Sequence, residues 1–147
     1  MGFFTSLDIG ASGLTAQRLR MDTISQNIAN INTTRTEDGT PYRRREVILE
    51  ERTGADSFSS YLSAANDKLN GGQGVRVSKI VEDASEFKKV YDPGHPDADE
   101  NGYVSMPNVD IVTEMVNMIS ASRSYEANVT SINATKSMAL KALEIGK

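Results

Sequence analysis

Two segments rich in apolar residues, one at each end of the 147-residue chain, constrain the fold more than any other feature of the sequence. The stretch between them is mostly polar, and aromatic residues make up only 6% of the chain, with no tryptophan. Such a middle offers little apolar volume for a large central core. The distribution therefore favours terminal helices that pack on each other or on partner molecules.

The first segment predicts a helix over residues 5 to about 32. Its large apolar side chains recur at seven-residue intervals, at Leu7, Leu14, Met21 and Ile28. Ile24 and Ile31 occupy the second apolar position of the same repeat. A seven-residue repeat with two apolar positions is typical of helices that pack as coiled coils. We therefore interpret this stripe as a packing seam.

The second segment predicts a longer helix, which Asn108 is expected to cap and which runs to about residue 145. Its seam follows positions that alternate at spacings of four and three. These are Ile111, Met115, Met118, Ser122, Tyr125, Val129, Ile132, Lys136, Ala139 and Leu143. At 1.5 Å per residue the helix would span ~55 Å. Because Ser122 and Lys136 interrupt the apolar stripe, we expect other molecules to complete its surface.

Between the helices the sequence predicts a small β-rich insert. Residues 41–50 and 75–81 are predicted strands, and the second alternates apolar and polar residues in its first half. Residues 87–91 are the expected hairpin partner of 75–81. Residues 92–107 hold three of the four prolines and are expected to be irregular. Residues at about 53–74 are rich in Ser, Asn, Asp and Gly, which predicts a long polar loop.

The predicted fold class is mainly α with a small β insert. Antiparallel pairing of the N- and C-terminal helices, in the manner of a coiled coil, is the simplest way to bury both stripes. Residues 1–35 and 105–147 would then form a terminal helical core domain, with residues 36–104 as the insert. A two-helix hairpin leaves apolar surface uncovered, so the pattern indicates assembly with other subunits.

The composition excludes several classes of function. A net charge of -4, without a long basic stretch, disfavours binding to nucleic acid or anionic membranes. The absence of cysteine excludes disulfides, thiolate metal sites and cysteine nucleophiles. The first residues lack the basic segment and apolar run of a Sec signal peptide, and no run approaches the ~20 apolar residues of a membrane span. The chain is therefore expected to be cytoplasmic or to leave the cell by another route.

No catalytic motif is present in the sequence. His95 is the single histidine, lies before a proline in a predicted loop, and has no nucleophile motif beside it. The basic run Arg43–Arg45 is followed by glutamates, so the local charge nearly cancels, and we interpret it as a solvated or inter-subunit salt-bridged strand. We expect no catalytic residue, no cofactor, no metal and no small-molecule substrate, which disfavours an enzyme.

One segment keeps a calcium-binding module open as an alternative. Asp97–Gly102 matches the first half of a calcium loop, with oxygen side chains at positions 1, 3 and 5 and glycine at position 6. Position 12, which should be a bidentate glutamate, is Asn108, and Pro107 precedes it. Any binding would be weak, would raise the melting temperature, and would be removed by Asp97→Ala.

Several short segments resemble the flagellar rod and hook proteins. Residues 24–33 are similar to the N-terminal signature of that family, and residues 108–128 resemble its C-terminal helix. Residues 41–44 and 90–108 are similar to the proximal-rod members. The signature residues are Asn27, Asn30, Asn32, Pro41, Tyr42, Arg43, Asp92, Pro93, Gly94, Pro107 and Asn108.

The resemblance implies a structural subunit that stacks helically in the flagellar rod, within the periplasmic space, and transmits torque. It implies export through the flagellar type III apparatus, without a Sec signal peptide. The implied partners are that apparatus, the other proximal and distal rod proteins, and the adaptor that joins rod to export gate. The predicted assembly residues lie on the helix seams: Leu14, Met21, Ile24, Ile28, Ile31, Ile111, Met115, Met118, Tyr125, Val129, Ile132 and Leu143.

A second function would use the same seams. A regulatory or chaperone-like module could recognise a partner helix through them. Such a module should be stable and soluble alone as a defined oligomer, which would distinguish it from a rod subunit.

Overall fold

The computed structural model describes residues 3–52 and 74–145. Two long helices, α1 (Phe3–Ala29) and α2 (Ile111–Ile145), bracket four short strands. The strands are β1 (Arg45–Glu51), β2 (Val75–Glu82), β3 (Lys88–Tyr91) and β4 (Tyr103–Met106). This confirms the predicted fold class. The polar loop predicted at about 53–74 lies, apart from Gly74, outside the described residues. In the described part of the chain, neither helix combines the length and hydropathy that a membrane span requires.

The start of α2 is set by Asp110. Its Oδ1 atom accepts a hydrogen bond from the backbone N–H of Thr113 at 2.9 Å, which is the contact of an N-terminal cap. That backbone bond favours the charged carboxylate and lowers the pKa of Asp110. The prediction that Asn108 caps this helix was therefore wrong, because the Asn108 side chain is bonded instead to Arg44, just before β1, and to Asp83, just after β2.

The strands form two separate two-stranded sheets, in which β1 pairs with β2 and β3 pairs with β4. The N–H of Asp83, just after β2, donates to the carbonyl of Arg44, just before β1, at 2.8 Å. At the opposite end of this pair, Arg52 N–H donates to the carbonyl of Gly74 at 2.9 Å. The two strands are therefore antiparallel.

The second sheet contradicts part of the prediction. Strand β3 is antiparallel to β4, with Lys88 opposite Met106 and Tyr91 opposite Tyr103. The expected hairpin between residues 75–81 and 87–91 was therefore wrong. Residues 103–106, expected to be irregular, form a strand.

Local turns explain the second sheet. After β2, Asp83 Oδ1 accepts the N–H of Ser85 at 2.9 Å in an Asx turn, which redirects the chain away from a hairpin with β2. Before β4, Asp99 Oδ1 accepts the N–H groups of Asn101 and Tyr103, each at 2.9 Å. Gly102 has φ 78°, a conformation that favours glycine, and this tight turn returns the chain against β3.

The described residues form two compact units, each of which contains part of both helices. We call the unit of residues 19–48 and 79–122 the asparagine unit, because it contains Asn27. The other consists of the described parts of residues 1–18, 49–78 and 123–147, and we call it the glycine unit because Gly10 and Gly13 lie in it.

In the glycine unit the helices approach closely at two glycines. A Cβ atom added at Gly10 would lie 2.7 Å from Cγ1 of Ile132, and one added at Gly13 would lie 2.8 Å from Nδ2 of Asn128. The later residue of α1 faces the earlier residue of α2, so the helices run antiparallel there, as predicted.

A serine joins α1 to the first residue of β2 in the same unit. Ser12 Oγ donates to the carbonyl of Ile9 at 2.7 Å and accepts the N–H of Val75 at 3.1 Å. The start of β2 is thereby fixed to the first half of α1.

Candidate functional site

The asparagine unit holds a buried polar cluster centred on Asn27. The Asn27 side chain is fully buried, and its Nδ2 atom donates to Glu114 Oε2 at 2.9 Å and to the carbonyl of Arg45 at 2.8 Å. Its Oδ1 atom accepts the Tyr42 hydroxyl and the N–H of Arg45, each at 2.9 Å. An asparagine amide offers two donors and two acceptor sites, so every one of its hydrogen-bonding positions is used.

Glu114 is the second fully buried member of the cluster and has 0% exposure. While Oε2 accepts from Asn27, Oε1 accepts from Nε of Arg44 at 2.8 Å. A buried carboxylate needs such charged and polar partners, because an unpaired ion is strongly disfavoured away from water. Glu114 therefore connects α2 both to α1 and to the residue that precedes β1.

Arg44 carries the positive charge of the cluster. Burial acts to lower the pKa of its guanidinium, but the hydrogen bond to Glu114 and the nearby carboxylates outweigh burial and raise the pKa. Glu46 lies 3.6 Å and Asp83 lies 3.7 Å from Nη1 of Arg44. The guanidinium is therefore held by three carboxylates.

Two further side chains complete the cluster. Burial raises the pKa of the Tyr42 hydroxyl, with Arg45 opposing that rise and the carboxylates of Glu82 and Glu114 adding to it. Asn108 Oδ1 accepts the N–H of Arg44 at 2.8 Å, and Asn108 Nδ2 donates to the carbonyl of Asp83 at 3.1 Å. The cluster thus joins α1, the ends of β1 and β2, and the segment before α2.

The geometry of the cluster is suited to holding elements together. A cavity of about 20 Å³ adjoins Arg44 and Glu114, and Thr23 and Asn117 also line it. A space of that size accommodates a single water molecule, not a substrate. The strongest donors and acceptors of the cluster are already bonded to one another, so the arrangement fixes positions.

Several of the signature residues meet in this cluster. Asn27, Tyr42 and Asn108 belong to it, and Pro107 is buried next to Asn108. Arg43 stacks its guanidinium 4.4 Å from the centre of the Phe87 ring.

The other signature residues lie elsewhere. Asn30 bonds to the carbonyl of Gln26 at 2.9 Å, Asn32 is exposed, and Pro41 is half-buried. Asp92, Pro93 and Gly94 form an exposed turn, in which Asp92 Oδ1 accepts the N–H of Gly94 at 3.2 Å.

Sequence reasoning missed Glu114, Arg44 and Asp83 as members of a site. The interpretation of residues 43–45 as a solvated or inter-subunit salt-bridged strand was wrong for Arg44, whose ion pairs lie within the chain. The sequence carried one signal for Glu114. This glutamate comes directly before the seam position Met115 and is the single charged residue in the twelve residues 111–122.

The predicted seam of α1 is not the face that the chain buries most deeply. The deeply buried α1 residues are small or polar, namely Ala16, Thr23 and Asn27, together with Ile24. Among the predicted seam residues only Ile24 is deeply buried. Leu14, Met21, Ile28 and Ile31 are half-buried.

The predicted seam of α2 shows the same offset more strongly. The deeply buried residues of α2 are Glu114 and Ala121. The positions on the same side of α2 continue at Met118, Tyr125, Asn128 and Ile132, which are half-buried. Val129 is also half-buried. Ile111, Met115 and Leu143 are 43%, 55% and 71% exposed. Met118, Tyr125 and Ile132 of the predicted seam therefore face the intrachain contact, whereas Ile111, Met115 and Leu143 lie beside it.

The calcium-loop segment has its carboxylates engaged with the protein. Asp97 Oδ2 accepts the Thr34 hydroxyl at 2.8 Å, and Asp99 Oδ1 accepts the two backbone N–H groups of its own turn. His95 Nδ1 accepts the N–H of Asp97 at 3.1 Å. Within residues 3–52 and 74–145, no group of three or more His, Cys, Asp or Glu residues is placed to hold a metal ion.

Two family models match the ends of the chain. Residues 7–35 match the model described as flagella basal body rod protein. Residues 100–145 match the C-terminal model of the flagellar basal body rod FlgEFG proteins. The two matched ranges contain Asn27 and Glu114, so the bond between these residues connects the two matched ends.

Curated proteins resemble the chain over its full length. Flagellar basal-body rod protein FlgC of Bacillus subtilis (strain 168) is 55% identical, with 100% of both chains covered. The protein of that name from Borreliella burgdorferi (strain ATCC 35210) is 52% identical over 99% of this chain and 98% of its own. The Salmonella typhimurium (strain LT2) protein is 42% identical, with 100% of both chains covered.

Proposed function

The chain belongs to the FlgC family of flagellar basal-body rod proteins and is a structural subunit of the rod, and we propose that it builds the proximal rod by helical self-assembly. In this proposal its terminal helices bind those of neighbouring subunits and transmit torque through the rod. No catalytic step is part of the function.

One observation carries the proposal: α2 has an exposed apolar surface that the chain does not need for its own fold. We call it the α2 outer surface, and it consists of Ile111, Val112, Met115, Val116 and Ile119, which are 43–65% exposed. Glu114 is the only charged residue between positions 111 and 122, and it is buried on the opposite side. A contiguous apolar surface of this kind is typical of a protein interface.

The inner side of the same helix supports this interpretation. Glu114 is bonded within the cluster and Ala121 is 0% exposed, so the intrachain contact is made without the residues of the α2 outer surface. Burying apolar surface against a neighbour contributes about 25 cal/mol per Å², which gives assembly a driving force. The predicted seam residues Ile111 and Met115 belong to this surface, and we assign the exposed seam residue Leu143 to a flanking contact.

We propose the domains that the helix pattern predicts and the partners that the family resemblance implies. Residues 1–35 and 105–147 would form the axial core of the rod, and residues 36–104 would make lateral contacts. The proposed partners are the other proximal and distal rod proteins, the adaptor between rod and export gate, and the type III export apparatus. The proposed location is the rod within the periplasmic space, reached through the type III export apparatus.

A deletion in the host organism tests the role in the rod. Electron microscopy of cell surfaces and isolated basal bodies should show loss of hook and filament with the membrane ring still present, and complementation should restore both. Normal flagella and swimming in the deletion strain would contradict the proposal. The partner-helix module would then become the better explanation.

A surface variant tests the assembly mechanism separately. Val116→Asp combined with Ile119→Asp places two carboxylates on the α2 outer surface, and we expect exported subunit but no completed rod. Ala84→Asp, at an exposed position of the insert, is the matched control and should support swimming. Rods assembled at the normal level from the double variant would exclude this surface as an interface.

A further inference from the structure

The two helices contact each other through a repeating pattern that does not by itself define their axial alignment. On α1 the inward positions Gly13, Ala16, Arg20, Thr23 and Asn27 follow heptad spacing, and on α2 Glu114, Met118, Ala121, Tyr125, Asn128 and Ile132 do the same. Sliding one helix by seven residues, about 10.5 Å, superimposes inward positions on inward positions. Small residues such as Gly13, Ala16 and Ala121 distinguish poorly between these alignments, because they have no side chain, or only a methyl group, that must fit a particular site on the facing helix.

The bond between Asn27 and Glu114 does distinguish between them. In the observed alignment Nδ2 of Asn27 lies 2.9 Å from Oε2 of Glu114. A slide of one heptad places Asn27 opposite Ala121 in one direction and opposite Pro107, before α2 begins, in the other. Both alternatives leave the buried amide of Asn27 without an acceptor on α2, which is disfavoured.

The same asparagine also connects the helix pair to the insert. Its remaining donor and one acceptor site bind the backbone carbonyl and N–H of Arg45, the first residue of β1. Backbone groups remain in place whatever side chain they carry, so α1 is aligned with β1 as well as with α2. Arg44, the residue before Arg45, donates a hydrogen bond to Glu114, so the start of β1 is also connected to α2.

We propose that Asn27 and Glu114 form a register pin, which specifies one axial alignment of α1 and α2 among heptad-related alternatives. A buried polar pair is a poor source of net stability compared with apolar residues of similar volume. Such a pair contributes specificity instead, because its hydrogen bonds are satisfied in one alignment of the helices only. The proposal concerns the fold of the single chain and does not depend on the role in the rod.

Engineered cysteines can measure the alignment, since the chain has none of its own. A Cβ atom at Gly13 would lie 3.2 Å from Cγ of Asn128, so cysteines at these positions are close enough for a disulfide. The alignments shifted by one heptad pair position 13 with position 121 or with position 135. Three full-length double-cysteine chains, Gly13→Cys with Asn128→Cys, Ala121→Cys or Thr135→Cys, therefore report the three alignments.

The deciding variant is Asn27→Leu combined with Glu114→Leu, introduced into each of the three reporter chains. An apolar pair should keep the helices associated, and Arg44 retains Glu46 and Asp83 as partners. We expect the original chain to cross-link only between positions 13 and 128, and the variant to gain a shifted cross-link at a comparable yield. The helical circular dichroism signal should be unchanged.

Two results would overturn the register pin. One is a variant that keeps its helical signal and still cross-links only between positions 13 and 128. The other is a chain with the pin intact that cross-links at shifted pairs, since it would have no single alignment to specify. The control Arg45→Met with Glu82→Leu, which removes an exposed ion pair of the same unit, should leave the cross-link pattern unchanged.

A second variant tests the proposal if the combination of Asn27→Leu and Glu114→Leu does not fold. Arg44→Met combined with Glu114→Leu removes both charges but keeps the bonds of Asn27 to Arg45. Because α1 then remains aligned with β1 while position 114 no longer binds Asn27 or Arg44, shifted cross-links should still appear. Their absence in this folded variant would contradict the proposal.

Discussion

The two units hold their parts of the helix pair together by different chemistry. In the asparagine unit the contact is a directional hydrogen-bond network around two fully buried polar side chains. In the glycine unit it is close approach, with Gly10 against Ile132 and Gly13 against Asn128. The comparison shows that the alignment of the helices is specified in one unit, whereas the other requires only that no side chain be too large.

The first and largest test removes the charged centre of the asparagine unit. Glu114→Ala leaves Arg44 with weaker partners and takes an acceptor from the buried amide of Asn27. Breaking a buried ion pair by removing one partner lowers the free energy of unfolding by about 3–5 kcal/mol. Urea unfolding of the full chain, followed by circular dichroism, measures it. Glu126→Ala, at an exposed position of α2, should change little.

A second test replaces one hydrogen-bond donor of the same network with an acceptor. Asn27→Asp has nearly the same shape but replaces the donor to Glu114 with a carboxylate oxygen. We expect a loss of about 2 kcal/mol from the unmet hydrogen bonds at neutral pH. The loss should shrink as the pH falls, because protonating one carboxyl restores a donor. If Asn32→Asp, at an exposed position, is equally destabilising, the effect does not arise in the cluster.

The third test addresses the glycine unit, where the two glycines should differ. Alanine is favoured over glycine in a helix interior by about 1 kcal/mol, and overpacking opposes that gain by about 1–3 kcal/mol. At Gly10 the new Cβ meets Cγ1 of Ile132, near the base of a branched side chain, so Gly10→Ala should lower stability by about 1 kcal/mol.

Gly13→Ala is the internal control for that test. The new Cβ meets the amide nitrogen at the far end of the Asn128 side chain, which can rotate away. We expect a change within about 0.5 kcal/mol of zero. Thermal unfolding of the two variants side by side decides the matter, and equal losses at both glycines would contradict a contact set by side-chain size.

The smallest expected effect is the acid dependence of the asparagine unit. A backbone hydrogen bond from Ser85 is the main cause of the lowered pKa of Asp83, and Arg44 adds to it. A lowered pKa in the folded chain contributes stability that is present above the ordinary value of 3.8 and is lost as the pH falls through the folded value. Asp83→Asn should therefore flatten part of the decline in stability below about pH 4, measured by urea unfolding across an acid series.

Within residues 3–52 and 74–145, the sequence predicted both helices and three of the four strands, because heptad and alternating patterns repeat over enough residues to be recognised. Strand β4 was missed because it lies among prolines, and only the turn built by Asp99 and Gly102 makes it a partner for β3. Pairing of this kind depends on local turn geometry that the apolar pattern does not contain.

The polar cluster could be predicted only in part. The resemblance selected Asn27, Tyr42 and Asn108, but no pattern indicated that Arg44 and Glu114 would meet them. Charged residues are usually solvated, so a glutamate near a helix seam is expected to face water. Large apolar residues were expected to mark the intrachain seam, whereas the most deeply buried residues there are small or polar and the seam residues Ile111 and Met115 are exposed.

The α2 outer surface has a thermal consequence. Contacts made by burying apolar side chains are driven near room temperature by the entropy of water, and they weaken on cooling. Ionic strength screens charged contacts, but this surface carries no charge on which screening could act. In the proposed assembly, cohesion between subunits at this surface should therefore resist moderate salt and decline in the cold, so a chilled rod would loosen there before a salt-treated one.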